Sequence, residues 1–219
     1  MTSSKVQSAE TLVNYSARTR YTPKEARRYR QRDTSRHRAE MALVERAFVL
    51  VPKGRVLDVP CGCGRVGLLL AQQGHQVTCA DLSPAMRAMA AQAVEQARLA
   101  VPVEAADVER LPFADRGFDT LVSFRLFHHF PNREVRERAV RELCRVAGRH
   151  VVLSYLTPFS FTVLRRWLQA KLGGRRSHKH ATSLSEVRGY FEGCGFRLTK
   201  DFAQQRFIHT LHLAVFERV

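Results

Sequence analysis

The sequence lacks several features that would place it in a specialised class. It has no apolar run near the roughly 18 residues that span a bilayer, and its first residues lack the apolar core of a signal peptide. Its 5 cysteines contain no CxxC pair, so neither a disulfide framework nor a zinc site is indicated. Internal repeats and low-complexity tracts are also absent. These absences predict a cytoplasmic protein without a bound metal.

Acidic residues are few. The chain has 20 Asp and Glu against 36 Lys and Arg, which gives a formal net charge of +16. Most of the positive charge is arginine, and it is concentrated in residues 18–38 and 165–179. Such an excess predicts an anionic partner. A solvated, arginine-rich surface without a partner is an equally compatible interpretation.

What the sequence does contain is an alternation of helix and strand signals, which predicts a parallel sheet with helices on both faces. Before it, Ala39, Leu43, Ala47 and Leu50 fall near one face of a predicted helix that Pro52 and Gly54 end. Strands are predicted near residues 56–58, 76–80, 101–106, 118–124 and 150–155, with helices near 85–100 and 131–146. A helix near 184–191 and two strands, 196–201 and 206–216, follow.

The most informative segment is residues 56–67, an apolar strand that ends in Asp58 and opens into a glycine-rich turn. The glycines at 62, 64 and 67 fit GxGxxG, in which small residues let the backbone approach a ligand at a helix N-terminus. A carboxylate at Asp58 would repel the pyrophosphate of a dinucleotide but would suit a ligand with an ammonium group. S-adenosylmethionine is such a ligand.

Two further acids follow the next two predicted strands. Asp81 closes the strand 76–80, at the distance where nucleotide-binding α/β folds place a carboxylate on ribose hydroxyls. Asp107 follows 101–106. This series of strand-end acids over residues 55–152 resembles the class I S-adenosylmethionine-dependent methyltransferases, especially the small-molecule group that includes ubiquinone-biosynthesis enzymes.

The resemblance implies a Rossmann-like, doubly wound, mostly parallel seven-stranded sheet with a C-terminal antiparallel hairpin. It divides one domain into a helical cap (1–52), a cofactor-binding core (53–156), a basic amphipathic insertion (157–183) and a C-terminal helix with strands (184–219). It also implies roles for single residues. Asp58 and the loop from Gly62 to Gly64 would contact the methionine part, Asp81 the ribose, Leu82 the adenine ring, and Asp107 with Val108 the adenine edge. The remaining implied cofactor contacts are Pro60, Met86 and Phe124.

Pro60 is a departure from the family pattern, because it stands where DxGxGxG has its first glycine. Proline fixes φ near −65° and has no N–H to donate, so that position cannot contribute a ligand contact through its amide. The later glycines are intact.

The catalytic candidates lie just past the fourth strand. His128 and His129 are candidate general bases because imidazole titrates near neutral pH, although helix capping or packing is the simpler interpretation. Arg125 either holds an anionic group of the acceptor or pairs with a surface acid. Tyr15, Tyr21 and Tyr29 are candidates for a lid over the site.

The insertion carries an amphipathic stretch, residues 159–172, with three open interpretations. It is a lid over the active site, a peripheral contact with an anionic membrane surface, or an RNA-binding segment. The predicted function is methyl transfer from S-adenosylmethionine to a small-molecule acceptor, anionic or quinone-like. The alternatives are an RNA methyltransferase and a non-catalytic binding module. No TyrxxxLys pair follows the core, which argues against an oxidoreductase.

Overall fold

The computed structural model describes residues 34–158, 180–203 and 210–219. The helices in these ranges are α1 (Thr34–Phe48), α2 (Arg65–Gln72), α3 (Pro84–Gln96), α4 (Arg133–Val146) and α5 (Leu184–Glu192). The strands are β1 (Arg55–Asp58), β2 (Gln76–Asp81), β3 (Val103–Ala105), β4 (Phe118–Ser123), β5 (Ala147–Leu156), β6 (Phe196–Ala203) and β7 (Leu211–Arg218). A short 3-10 helix covers Phe127–His129.

The strands form one seven-stranded sheet in the order β3-β2-β1-β4-β5-β7-β6. The first five strands run parallel to one another, and β7 lies antiparallel between β5 and β6. The predicted doubly wound sheet with a C-terminal antiparallel hairpin is therefore confirmed. The chain order reverses between β1 and β4, and in open α/β sheets ligands bind outside the carboxyl ends of the strands at such a point.

Both faces of the sheet are covered, because successive side chains of a strand point to opposite sides. On β4, Leu121 joins a core with Leu143 of α4 and Phe191 of α5, whereas Val122 joins a core with Leu43 of α1 and Leu70 of α2. All of these side chains are at most 1% exposed. Each such side chain contributes about 1.5–3 kcal/mol when it is fully buried, so the two cores fix the sheet that carries the site.

Helix α1 packs on the sheet through a face that differs slightly from the predicted one. Leu43 and Ala47 are buried as expected, together with Val44 and Phe48. Leu50 is 41% exposed, so its predicted place on this face is wrong. The helix ends at Phe48, and a residue beyond the helix end no longer follows its periodicity.

Other ends of helices and strands also differ from the predicted ones, for local reasons. Ser83 caps α3 as predicted, with its Oγ accepting from the Met86 N–H at 3.3 Å, but the helix ends at Gln96 rather than near 100. Strand β5 begins at Ala147, three residues before the predicted start, because it follows α4 without a loop. Asn132 caps α4 by accepting from the Val135 N–H at 3.1 Å, so the helix starts at residue 133 rather than at the predicted residue 131.

Several sequence predictions fall outside the described residues. These are the lid tyrosines Tyr15, Tyr21 and Tyr29, the amphipathic stretch 159–172, and most of both arginine clusters. Within residues 34–158, 180–203 and 210–219, no helix combines the length and apolar character needed to cross a bilayer. The same ranges contain no group of three side chains suited to hold a metal ion.

Candidate active site

A cleft opens at the carboxyl edge of the parallel strands, where β1, β2 and β4 end and the turn after β3 begins. It encloses about 970 Å³ of space, part of it open to solvent. All the predicted site residues except Gly64 and His128 line it: Asp58, Pro60, Gly62, Asp81, Leu82, Met86, Asp107, Val108, Phe124, Arg125 and His129. The topology thus brings together residues that are up to 71 positions apart in the chain.

Asp58 is the most deeply buried acid of the cleft, at 1% exposure. One carboxylate oxygen accepts from the Gly67 N–H at 2.9 Å, in the first turn of α2. Burial raises the pKa of Asp58 to about 8, and the nearby Asp81 adds to the rise, while the Gly67 hydrogen bond opposes it. A carboxyl group in this state favours an incoming cation, because a cation stabilises the ionised form that burial disfavours.

Asp81 organises the glycine-rich turn. Its Oδ2 accepts from the Gly62 N–H at 2.9 Å, and its Oδ1 accepts from the Ser83 N–H at 2.8 Å. Burial raises the pKa of Asp81 above its usual value. Each oxygen of a carboxylate has two acceptor positions, so one on each remains for ligand hydroxyls.

The turn itself has the shape that close approach of a ligand requires. Gly62 and Gly64 have φ of +56° and +80°, a region in which other L-residues are strained. A Cβ at Gly62 would meet nothing within 4 Å, which leaves open space beside the turn. The Val59–Pro60 peptide bond is cis, and Pro60 lines the cleft where the family pattern has glycine. The donor set and this cradle fit a ligand with a cationic end and a ribose.

Arg125 follows β4 in a left-handed conformation, with φ of 62°. Its backbone N–H donates to Ser154 Oγ at 2.5 Å, and its Nη1 donates to Glu40 Oε1 at 2.6 Å. Arg125 thus pairs with an acid, as one interpretation of the sequence had it, but this acid is buried at 3% exposure rather than on the surface.

Glu40 is a site residue that sequence reasoning missed. Besides Arg125, it accepts from Arg36 at 3.2 Å and from Arg65 at 3.3 Å, so one carboxylate faces three guanidinium groups. Arg65, at the start of α2, also lines the cleft. The available signal was an acid within the apolar stripe of α1, four residues before Val44. The network joins α1, the glycine-rich turn and the end of β4.

Replacing Glu40 by glutamine is expected to lower the free energy of unfolding by about 2 kcal/mol, because Arg125, whose side chain is 9% exposed, loses its charged partner. Urea denaturation measures this change. The matched control is Glu45→Gln, which alters an exposed acid on the same helix and is expected to change stability by less than about 0.5 kcal/mol. Equal effects of the two variants would show that the network adds no stability.

The two histidines differ in burial. His129 lines the cleft, whereas His128 is 1% exposed and its carbonyl accepts from the His180 N–H at 2.9 Å. Their rings lie 4.3 Å apart. His129 is therefore the histidine that an acceptor in the cleft would reach, and the role of both residues stays a prediction.

Comparison with known proteins agrees with this resemblance over part of the chain. Residues 56–149 match the family model described as methyltransferase domain. A probable tRNA methyltransferase 9B of Mus musculus is 34% identical over 95 residues, which are 43% of this chain and 20% of that protein. A demethylmenaquinone methyltransferase of Thermus thermophilus is 37% identical over 120 residues, which are 52% of this chain and 53% of that protein. The chain thus matches about half or less of each of these relatives.

Solved structures share the fold across most of the chain. Magnesium protoporphyrin IX methyltransferase from Synechocystis, crystallised with bound S-adenosylhomocysteine, superposes with a TM-score of 0.74 at 18% identity, covering 89% of this chain and 94% of that one. At this identity the likeness concerns the fold. Residues 56–149 thus match a methyltransferase domain, and the sheet order and the three strand-end acids agree with the resemblance to the class I S-adenosylmethionine-dependent methyltransferases.

Proposed function

We propose that this protein transfers a methyl group from S-adenosylmethionine to a small-molecule acceptor, with anionic and quinone-like compounds as the first candidates. The proposal rests on one observation: Asp58, Asp81 and Asp107 line a single cleft together with the Gly62 turn. Each acid follows a different parallel strand. Together they offer a charge partner for an ammonium group, acceptors for ribose hydroxyls and an acceptor for the adenine amino group.

The chain's own residues account for the binding mode. Asp58 would hold the ammonium group, and Asp81 would hold the ribose through the acceptor positions that its backbone donors leave open. Leu82, 40% exposed beside the cleft, offers an apolar surface for the adenine ring. Asp107 also lines the cleft, and its Oδ1 accepts from the Glu109 N–H at 3.0 Å, which fixes the turn after β3.

When bound, S-adenosylmethionine supplies an electrophilic methyl group on a sulfonium sulfur. In-line displacement needs alignment of the acceptor atom with that methyl group in a site that excludes water, and alignment alone is worth several kcal/mol. Phe124 and Leu126 line the cleft at the end of β4 and offer apolar surface there. His129 lies beside them, within the same cleft, and would take a proton from an acceptor that has to lose one.

The charge at the end of β4 supports an anionic group on the acceptor. Glu40 balances one positive charge, whereas Arg36, Arg65 and Arg125 bring three to it. Two of these guanidinium groups, those of Arg125 and Arg65, line the cleft. A carboxylate, phosphate or enolised quinone in the acceptor would be attracted to this region.

An RNA acceptor is the second candidate, and two observations favour it. The net charge is +16, and one of the relatives is a probable tRNA methyltransferase. Binding to tRNA that weakens steeply between about 50 and 200 mM salt, together with methylation of that tRNA, would favour this candidate over a small acceptor. Salt-dependent binding without methylation would indicate only non-specific attraction.

Calorimetric titration tests the cofactor part of the proposal. S-adenosylmethionine and S-adenosylhomocysteine are expected to bind with micromolar Kd, whereas NADH is expected not to bind, because it has no ammonium group to pair with Asp58. Absence of binding by both sulfur compounds would contradict the proposal and favour a module that uses the fold for another purpose. Binding is followed by a screen of anionic and quinone-like acceptors for methyl transfer.

The pKa of Asp58 predicts how cofactor affinity depends on pH. Since the carboxyl is protonated below about pH 8 in the folded protein, binding of a cation requires its ionisation and releases a proton. Affinity for S-adenosylmethionine is therefore expected to rise about tenfold from pH 6 to pH 7, below the range in which the ligand's own amino group titrates. Titration at pH 6 in buffers of different ionisation enthalpy measures the released proton directly.

The control for this dependence is Asp58→Asn, which removes the titrating group while keeping an oxygen for the Gly67 N–H. Its affinity is expected to be low and nearly constant from pH 6 to pH 7. Because folding raises this pKa, Asp58 stabilises the folded protein most below about pH 4, and this stabilisation is lost as the pH rises towards 8. The cofactor is therefore expected to raise Tm most at the upper end of this pH range. Equal pH profiles for the Asp58→Asn variant and the wild type would exclude Asp58 from the coupling.

A further inference from the structure

Two cysteines lie together on the side of the sheet that α4 and α5 cover. Cys144 belongs to α4 and is 3% exposed, whereas Cys194 lies in the turn between α5 and β6 and is half-buried. Both cysteines line the same depression of the surface. The other described cysteines, Cys61, Cys63 and Cys79, are buried in the glycine-rich turn and β2. Cys194 is therefore the accessible thiol of the described residues.

The surface around Cys194 is positive. Two depressions meet at this residue, and Arg141 lines both of them. The one that also includes Cys144 encloses about 570 Å³, and its other lining residues are Asp115, Arg116, Arg145 and Arg218. A small anionic molecule fits the size and the charge of this depression.

The charged groups near Cys194 divide into paired and unpaired ones. Asp115 is engaged by Arg145 at 2.7 Å. In the second depression Glu186 is engaged by Arg136 at 2.8 Å and Glu137 by Arg133 at 2.7 Å. Arg218 donates to the carbonyls of Cys144, Ala147 and Gly148.

Arg116 and Arg141 are the remaining cations, and no carboxylate of the described residues pairs with either of them. Both are exposed. The carboxylates facing Cys194 thus have their own cationic partners, while two guanidinium groups are available to an anionic ligand.

These surroundings give the two thiols different reactivity. The hydrogen bond from Cys144 lowers the pKa of Cys194 to about 7, with help from Arg141 and Arg218 and against the effect of burial. The same hydrogen bond and burial raise the pKa of Cys144. The thiolate is the nucleophile in thiol chemistry, so Cys194 is the thiol that attacks first and Cys144 the one that follows.

We propose that Cys194 is a site of thiol–disulfide exchange with a small anionic disulfide of the glutathione disulfide type, and that Cys144 then resolves the mixed disulfide. In the first step the Cys194 thiolate attacks one sulfur of the small disulfide. The bond between its two sulfurs breaks, and the departing thiolate takes a proton from water.

In the second step Cys144 loses its proton to water and attacks the Cys194 sulfur, which displaces the second small thiolate. The product is a Cys144–Cys194 disulfide. The small disulfide gains two electrons and becomes two thiols, and the two protein thiols lose the same two electrons. The guanidinium groups of Arg116 and Arg141 hold the carboxylates of the small disulfide during the first step.

Intact-mass spectrometry of the full chain incubated with glutathione disulfide at pH 7 tests the proposal. Wild-type protein is expected to end as a linked Cys144–Cys194 pair, identified by peptide mapping. Cys144→Ser is expected to stop with one glutathionyl group on residue 194, and Cys194→Ser is expected to react at most about one tenth as fast. First reaction at Cys61, Cys63 or Cys79, or a wild-type rate for Cys194→Ser, would overturn the proposal.

The anionic class of the ligand has its own test, which needs no cofactor and no methyl acceptor. Arg141→Gln is expected to slow reaction with glutathione disulfide about fivefold at low salt and to leave reaction with the neutral hydroxyethyl disulfide within about twofold. Equal slowing with both disulfides would refute recognition of the anion. The rate with wild type should rise with a midpoint near pH 7, and a midpoint near the usual thiol value would contradict the assigned nucleophile.

Discussion

Replacing Asp81 by alanine is expected to weaken S-adenosylmethionine binding by at least about 100-fold. Two hydroxyl groups of a ribose that donate to one ionised carboxylate contribute about 1.5–3 kcal/mol each, and a loss of about 2.7 kcal/mol already corresponds to 100-fold. Calorimetric titration measures the change. An unchanged Kd would remove Asp81 from the binding site.

The structure shows that Asp81 also holds the glycine-rich turn, so the experiment has to distinguish a lost ligand contact from a disturbed turn. The variant loses the acceptors for the Gly62 and Ser83 N–H groups as well as any ligand contact. Adenosine distinguishes them, because it contains the ribose but no methionine part. A loss of adenosine binding parallel to that of S-adenosylmethionine would show a ribose contact, whereas retained adenosine binding would show an effect through the turn. Asp115→Ala, at a carboxylate with 76% side-chain exposure, is the matched control.

Replacing Gly67 by alanine is expected to lower the free energy of unfolding by about 3 kcal/mol. A Cβ at this position would overlap Cys79 Sγ and would lie 3.3 Å from Asp58 Oδ2. Cys79 is fully buried in β2, so relieving the overlap requires either a change of its rotamer within the packed core or a movement of α2 away from the sheet. Urea denaturation with a two-state fit measures the loss.

A second substitution tests the cause of that loss. In a Cys79→Ala background the obstructing sulfur is absent, and Gly67→Ala is expected to cost less than about 1 kcal/mol there. The control Gly189→Ala, in α5, introduces a Cβ that meets nothing within 4 Å and is expected to stabilise the protein by about 0.5–1 kcal/mol. The same loss from Gly67→Ala in both backgrounds would show that the sulfur is not the obstacle.

The sequence predicted the sheet and the meeting of its three strand-end acids at one edge because both depend on local signals. Asp58, Asp81 and Asp107 each stand directly after a strand-like run, and parallel strands bring their carboxyl ends to one edge. No contact had to be known for that inference. The antiparallel hairpin, by contrast, came from the family resemblance, since its own residues indicate only two strands.

The surroundings of Arg125 could not be predicted in the same detail, because they depend on contacts between distant segments. Arg125 and Glu40 are 85 residues apart, and only the packing of α1 on the sheet brings them to 2.6 Å. The Cys144 and Cys194 pair has the same origin, since α4 and the turn after α5 meet through the core they share. Spacing along the chain contains no signal for either pair.

The position of β7 in the sheet has a consequence for the order in which this protein is built. Strand β5 is complete at Leu156, but the neighbour that pairs with its outer edge begins at Leu211. During synthesis that edge, with apolar side chains such as Val151 and Leu153, is exposed until residues 211–218 leave the ribosome. An unpaired apolar strand is a template for pairing between chains. Growing polypeptides are therefore most exposed to aggregation between the synthesis of Leu156 and the emergence of residues 211–218, when chaperone binding offers the greatest protection.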